Sequence, residues 1–354
     1  MDQRPVGDAE AAAVGCLLGT AVGDALGLPR EGLSASRAKR LFGGEVGHCL
    51  LPGRGMVSDD TDHAVMTASA LFTASGSPEA FARNLAWRLR WWFLALPAGV
   101  GLATAKACLR LWVGAGPDRS GVPSAGNGPM MRAPIIGVLF AAELERMRAF
   151  VRACTRLTHT DPRAERAAFV VALITSHALR HPGEPLDGDA TVAEILRLVP
   201  DADNELREIL KRAVDPTPLT DLWPKGPSGY AYHTLLAVLH TLFRHPQDFA
   251  YALRDVILLG GDTDTTGAIL GGVAGAILGP SAVPDAWVRG VVEWPRSMTW
   301  VRELGRRLSL SPTAKGAVRP PRYFVPGVLP RNLFFLAVVV GHGFYRLVRT
   351  GAGR

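Results

Sequence analysis

Gly15-Cys-Leu-Leu-Gly19-Thr-Ala-Val-Gly23-Asp-Ala-Leu-Gly27 sets a glycine at every fourth position of an apolar stretch. A second stretch repeats the spacing at Gly267, Gly271, Gly275 and Gly279. An interior glycine costs a helix roughly 1 kcal/mol relative to alanine. Several in one helix need a compensating contact. Glycines four apart form a smooth ridge along one helix face, which lets another backbone approach closely. The two ridges are expected to pack on each other. That contact brings Asp24, inside the first ridge, near Asp262 and Asp264 at the head of the second.

Helical periodicity runs through the rest of the chain. Helices are expected over about 9–27, 60–75, 79–96, 100–113, 146–157, 163–180, 190–199, 204–214, 230–243, 247–259, 265–278 and 297–309. No series of alternating strand patterns appears. The Gly/Pro-rich stretches 114–129 and 216–229 read as loops. The expectation is an all-α, compact, single-domain protein over 1–310. Residues 311–354 then form a Pro-rich connector and an apolar, basic extension.

The chain has 354 residues, 48% of them hydrophobic, enough for a large core. Cys16, Cys49, Cys108 and Cys154 are scattered without a CxxC pair. They suit free thiols in a reducing compartment and a cytoplasmic location. Ala11–Leu28 is apolar, but Asp24 interrupts it and Asp2, Asp8 and Glu10 precede it, unlike a signal peptide. The run Leu333–Val340 is bracketed by Arg331 and Arg346 and is too short to span a bilayer. It reads as a buried C-terminal element, so no transmembrane span is expected. The net charge of +7 is uneven: from Arg289 onward Glu293 and Glu303 are the sole acids. A solvated basic face is the plainer reading, and contact with nucleic acid or an anionic surface is the other. Trp87, Arg88, Arg90, Trp91 and Trp92 interleave basic and aromatic groups. Their spacing is that of a half-buried helix rather than a nucleic-acid reader. A monomer is expected.

The chemistry is carried by two short acidic clusters, Ser58-Asp59-Asp60-Thr61 and Gly260-Gly261-Asp262-Thr263-Asp264-Thr265. Each opens an apolar helix, so each also reads as an N-cap with acids complementing the helix dipole. Taken together, carboxylates interleaved with hydroxyls supply hard oxygen ligands. These suit Mg²⁺ or Mn²⁺ rather than zinc, and two adjacent ions account for the ligand number better than one.

These residues belong to an ordered set. It comprises the Gly15–Gly27 stretch with Glu31, Ser58–Thr61, Gly126-Asn127-Gly128 with Met131-Arg132, Thr158-His159, Gly261–Thr265 and Val283-Pro-Asp-Ala-Trp287. The set resembles the ADP-ribosylglycohydrolase family over roughly residues 10–310. The resemblance implies an all-α fold with two divalent cations, usually Mg²⁺ or Mn²⁺, that removes ADP-ribose from modified side chains or related acceptors. Carried over by position, it implies Ser58, Asp59, Asp60, Asp262, Asp264 and Thr265 as metal ligands. The family commonly has Thr where Ser58 stands, and serine keeps the hydroxyl. Glu31, Asp60 and Asp264 take the catalytic roles. Gly126, Asn127, Gly128, Met131 and His159 take the substrate contacts.

Glycoside cleavage needs a polarised sugar, a positioned water and a base. A Gly-Asn-Gly loop suits a pyrophosphate because its backbone N–H groups can come close. Arg132 fits either a phosphate contact or a pairing with an acid. Two other readings stay open, a non-catalytic ADP-ribose binder and a hydrolase of ADP-ribosylated nucleic acid or metabolite. Arginine, serine, nucleobase and metabolite acceptors all remain open.

Overall fold

A computed structural model describes residues 6–72, 76–310 and 318–351. The tail of the expected 60–75 helix and the start of the 311–331 connector lie outside the described residues. The protein is all-α, built around a buried antiparallel helix pair, Val6–Gly27 and Thr263–Leu278. Both are apolar nearly all round, as helices inside a core must be. Their glycines face each other as Gly15 with Gly275, Gly19 with Gly271 and Gly23 with Gly267. A Cβ built on Gly15, Gly19 or Gly23 would lie 2.0 Å from the facing carbonyl oxygen. The two ridges therefore meet backbone to backbone, as their spacing predicts.

Other helices wrap this pair. Met298–Leu310 seats Gly305 against Val14 of the first helix. Ala133–Leu139 seats Gly137 against the Ala172 carbonyl of Pro162–Thr175. Asp59–Leu71 is almost wholly buried and is capped by the Ser58 hydroxyl, which accepts from the Asp60 N–H at 3.3 Å. Among the described residues the one sheet is a two-stranded ladder, Leu33–Ser34 paired antiparallel with Gly260–Gly261. Gly260 and Gly261 sit at φ 76° and 74°, where a side chain is strained. This double turn aims the Asp262–Thr265 segment back at the first helix.

Helix ends move by a few residues from their expected positions. Ala35–Phe42 and Ala133–Leu139 are helices that the periodicity did not bring out. The larger correction is at the C-terminal side. Leu333–Val340 is not a short buried element. It is the middle of a 24-residue helix, Val328–Gly351, lying on the surface. Phe335 is buried against Leu28, Leu50 and Met56, while Leu333, Phe334 and Val340 are exposed. The apolar run looked short because Arg331 and Arg346 bracket it. Both turn inward: Arg331 forks the buried Glu293 carboxylate at 2.6 and 2.7 Å, and Arg346 donates to the Glu31 carbonyl at 2.9 Å.

Candidate metal centre and ligand cleft

The glycine contact brings the two acidic clusters to one place. Asp24 is fully buried and accepts from the Ser58 N–H, the Thr61 N–H and the Thr61 hydroxyl, the last at 2.5 Å. It ties the first helix to the head of the Asp59 helix. The Thr265 hydroxyl donates across to Asp60 Oδ2 at 3.3 Å, and the Ser58 hydroxyl donates to the same oxygen at 3.2 Å. Asp60 Oδ1 is buried without a partner. A buried carboxylate oxygen left bare in this way is costly, and a cation relieves it.

Six carboxylates share the centre: Asp24, Glu31, Asp59, Asp60, Asp262 and Asp264. Burial, then mutual repulsion, holds Asp59, Asp60 and Asp264 well above the ordinary carboxylate range. Asp24 is pushed up to about 6 by burial, against the hydrogen bonds from Thr61 and Ser58. Glu31 stands at the rim beside Asp264. Its carboxyl is raised by partial removal from water and by the charge of Asp262, with Arg346 opposing. Such a set of buried oxygens fits one or two hard divalent cations. The candidate ligands Ser58, Asp59, Asp60, Asp262, Asp264 and Thr265 all stand in this cluster.

Asp62, next in the sequence, turns away. It accepts from Trp92 Nε1 at 2.8 Å and from Arg296 at 2.6 Å, a buried ion pair. His63 meets the Trp92 ring edge-on, and its Nδ1 lies 3.2 Å from Arg132. Burial, then Arg132 and His159, keep it neutral.

The Gly126-Asn127-Gly128 loop borders the cluster. Asn127 Nδ2 donates to Asp262 Oδ2 at 2.6 Å and to the Thr234 hydroxyl at 2.9 Å. Its N–H is held by the Gly229 carbonyl. Gly126 and Gly128 lie on the His159 ring, where a Cβ would come within 3.1 and 2.9 Å. His159 is a buried support for the loop: Nδ1 pairs with the Thr158 hydroxyl at 2.8 Å. Burial, then Arg132, drives its pKa down to about 3.

Met131 is buried in the main core. Arg132 is fully buried, held by Thr158 and His63, and takes neither expected role. Its guanidinium braces the floor beneath the loop. Sequence reasoning missed Thr234 and Gly229 as supports of Asn127, and Arg346 at the Glu31 rim. A separate cluster, His177, His181 and Glu194, brings three donor groups within 4.8 Å. There Arg180 already forks Glu194.

A family model for ADP-ribosylglycohydrolase matches residues 6–317. An Archaeoglobus fulgidus protein of undescribed activity is 32% identical over 304 residues, covering 83% of this chain and 94% of its own. The Rhodospirillum rubrum ADP-ribosyl-[dinitrogen reductase] glycohydrolase is 27% identical over 282 residues, covering 78% of this chain and 88% of its own. A solved structure described as an ADP-ribosylglycohydrolase-related protein complex superposes with a TM-score of 0.66 at 30% identity. It covers 88% of this chain and 99% of its own. With the family model spanning most of its length, the chain belongs to the ADP-ribosylglycohydrolase family.

Proposed function

We propose that this protein is a metal-dependent hydrolase that cleaves the bond between ADP-ribose and an acceptor, reversing mono-ADP-ribosylation of protein side chains. Membership of the family supports hydrolysis of ADP-ribose linkages. The observation that carries the metal reading is Asp60. One of its oxygens is joined to Thr265 of the other cluster, and the second is buried and bare. Ser58, Asp59, Asp60, Asp262, Asp264 and Thr265 would hold two Mg²⁺ or Mn²⁺ ions. Bound there, the ions supply Lewis acidity toward ribose hydroxyls and an attacking water.

The chain's own groups do the rest. The Gly126–Gly128 loop, kept in register by Asn127 on Asp262, is the candidate pyrophosphate contact. Glu31, at the rim beside Asp264, is the candidate base that accepts a proton from the attacking water. Asp60 and Asp264 are the other candidate bases. The name of the R. rubrum relative identifies a protein as that enzyme's substrate, and this supports a protein acceptor here.

The test is ADP-ribose release from a panel of ADP-ribosylated arginine, serine and nucleic-acid substrates, with Mg²⁺, with Mn²⁺ and with chelator. Release should require the metal and should vanish in Asp60→Ala and Asp264→Ala. Glu31→Gln should lose about 10²–10⁴-fold in turnover and still bind ADP-ribose by calorimetry. No release from any member of the panel, or full activity in chelator, would refute the proposal.

A further inference from the structure

We propose that the outer face of the Val328–Gly351 helix seats the protein on an anionic lipid surface. The helix is two-sided. Arg331, Asn332, Phe335 and His342 are buried against the body. Leu333 is 48% exposed, Val340 50%, Phe344 65% and Val348 71%. At 3.6 residues per turn these four fall on one stripe. Single exposed apolar residues are ordinary, whereas a contiguous apolar face marks a contact surface.

The face does not end with the helix. Leu329 and Val325, at its start, line a groove of about 590 Å³ whose other wall is Trp87 and Trp91. Those indoles are exposed and meet edge to face. Tryptophan is the residue enriched where water meets the lipid headgroups.

Charge selects the occupant. After Glu303 the sequence carries no further acid. Arg319 and Arg322 stand exposed in the segment that leads into the helix, while Arg349 turns toward the body and donates to the Leu41 carbonyl at 3.1 Å. An apolar stripe entered through an arginine-bearing, acid-free segment complements an anionic headgroup layer.

The helix lies on the bilayer rather than through it, although Val325–Arg349 has the length and composition to cross, with a mean hydropathy of 1.4. Arg331 is locked on buried Glu293 and on the Val57 carbonyl, and His342 is bonded to the Pro29 carbonyl at 3.1 Å. Crossing would strip these contacts and leave Glu293 buried and unpaired. Because His342 and Arg346 hold the Pro29–Glu31 segment, the docked helix sets the rim of the metal centre beside the membrane.

The experiment is co-sedimentation of the full chain with phosphatidylcholine vesicles, with and without phosphatidylglycerol, at low and high salt. The protein should sediment with the anionic vesicles. Binding should fall about tenfold or more on neutral vesicles, and again in high salt. Leu333→Gln/Phe344→Gln should weaken it about tenfold while leaving the melting temperature and ADP-ribose release unchanged. No sedimentation with anionic vesicles would overturn the proposal. So would a homodimer by light scattering that the double substitution dissociates without any change in vesicle binding.

Discussion

Gly23→Ala is the sharpest test of the central contact. The added Cβ would sit 2.0 Å from the Gly267 carbonyl oxygen and 2.4 Å from its carbon. Cβ atoms do not approach heavy atoms within 3.0 Å, so something must shift by about 1 Å. Both partners are backbone, so no side chain can rotate out of the way, and the helices themselves must part. Overpacking costs about 1–3 kcal/mol where neighbours can adjust, and more where they cannot. Alanine returns about 1 kcal/mol of helix propensity. A net loss of about 2 kcal/mol or more is expected. Parting the helices also moves Asp24 away from Ser58 and Thr61, so metal binding should weaken beyond what stability alone predicts. Gly341→Ala is the matched control. It too lies inside a helix, but its Cβ would meet nothing within 4 Å, so it should stabilise by up to about 1 kcal/mol. Thermal melts of both variants, with Mn²⁺ titration by calorimetry, give the answer. Equal stability of Gly23→Ala and the parent would refute the backbone-to-backbone contact.

Two further predictions concern buried ionic groups. His159 folds neutral with a pKa of about 3, against about 6.5 in an unfolded chain, so the unfolded chain binds more protons between those values. Its contribution is complete above pH 6.5 and declines as pH falls toward 3, by about 2 kcal/mol at pH 5. Denaturant melts of His159→Gln should show a shallower acid decline over that window, and an unchanged slope would count against the buried neutral ring. Arg331→Met leaves Glu293 buried and unpaired and should cost about 3–5 kcal/mol, whereas Arg331→Met/Glu293→Gln should recover much of it. Urea midpoints of the two variants decide this, and equal loss in both would mean that packing, not charge, dominates.

The central contact was legible because glycine at every fourth position is hard to explain without a close partner. The acidic clusters were legible because each joins carboxylates and hydroxyls at a helix start. What escaped the sequence depends on contacts without periodic pattern. Asp24 clasps Ser58 and Thr61 from 34 and 37 residues away, and no local spacing announces it. Arg132 reads as a phosphate contact or an acid's partner because arginine seldom lies fully buried. Only the fold brings Thr158 and His63 to it. The last helix was misjudged for a different reason. The apolar run was measured between flanking arginines, whereas the stripe through Leu329, Leu333, Val340, Phe344 and Val348 runs past them. Reading by face rather than by run would have found it.

The pairing of the first helix with Thr263–Leu278 also sets an order of events during synthesis. Gly27 and Thr263, which meet through a hydroxyl–carbonyl bond, are 236 residues apart. At about 5–20 residues per second, the first helix waits roughly 10–50 s for its partner to be made. Throughout that interval an apolar helix has its glycine groove open and nothing to fill it. The nascent chain is therefore a client for whatever holds hydrophobic segments at the ribosome. Neither the core nor the candidate metal centre can close until most of the message has been read.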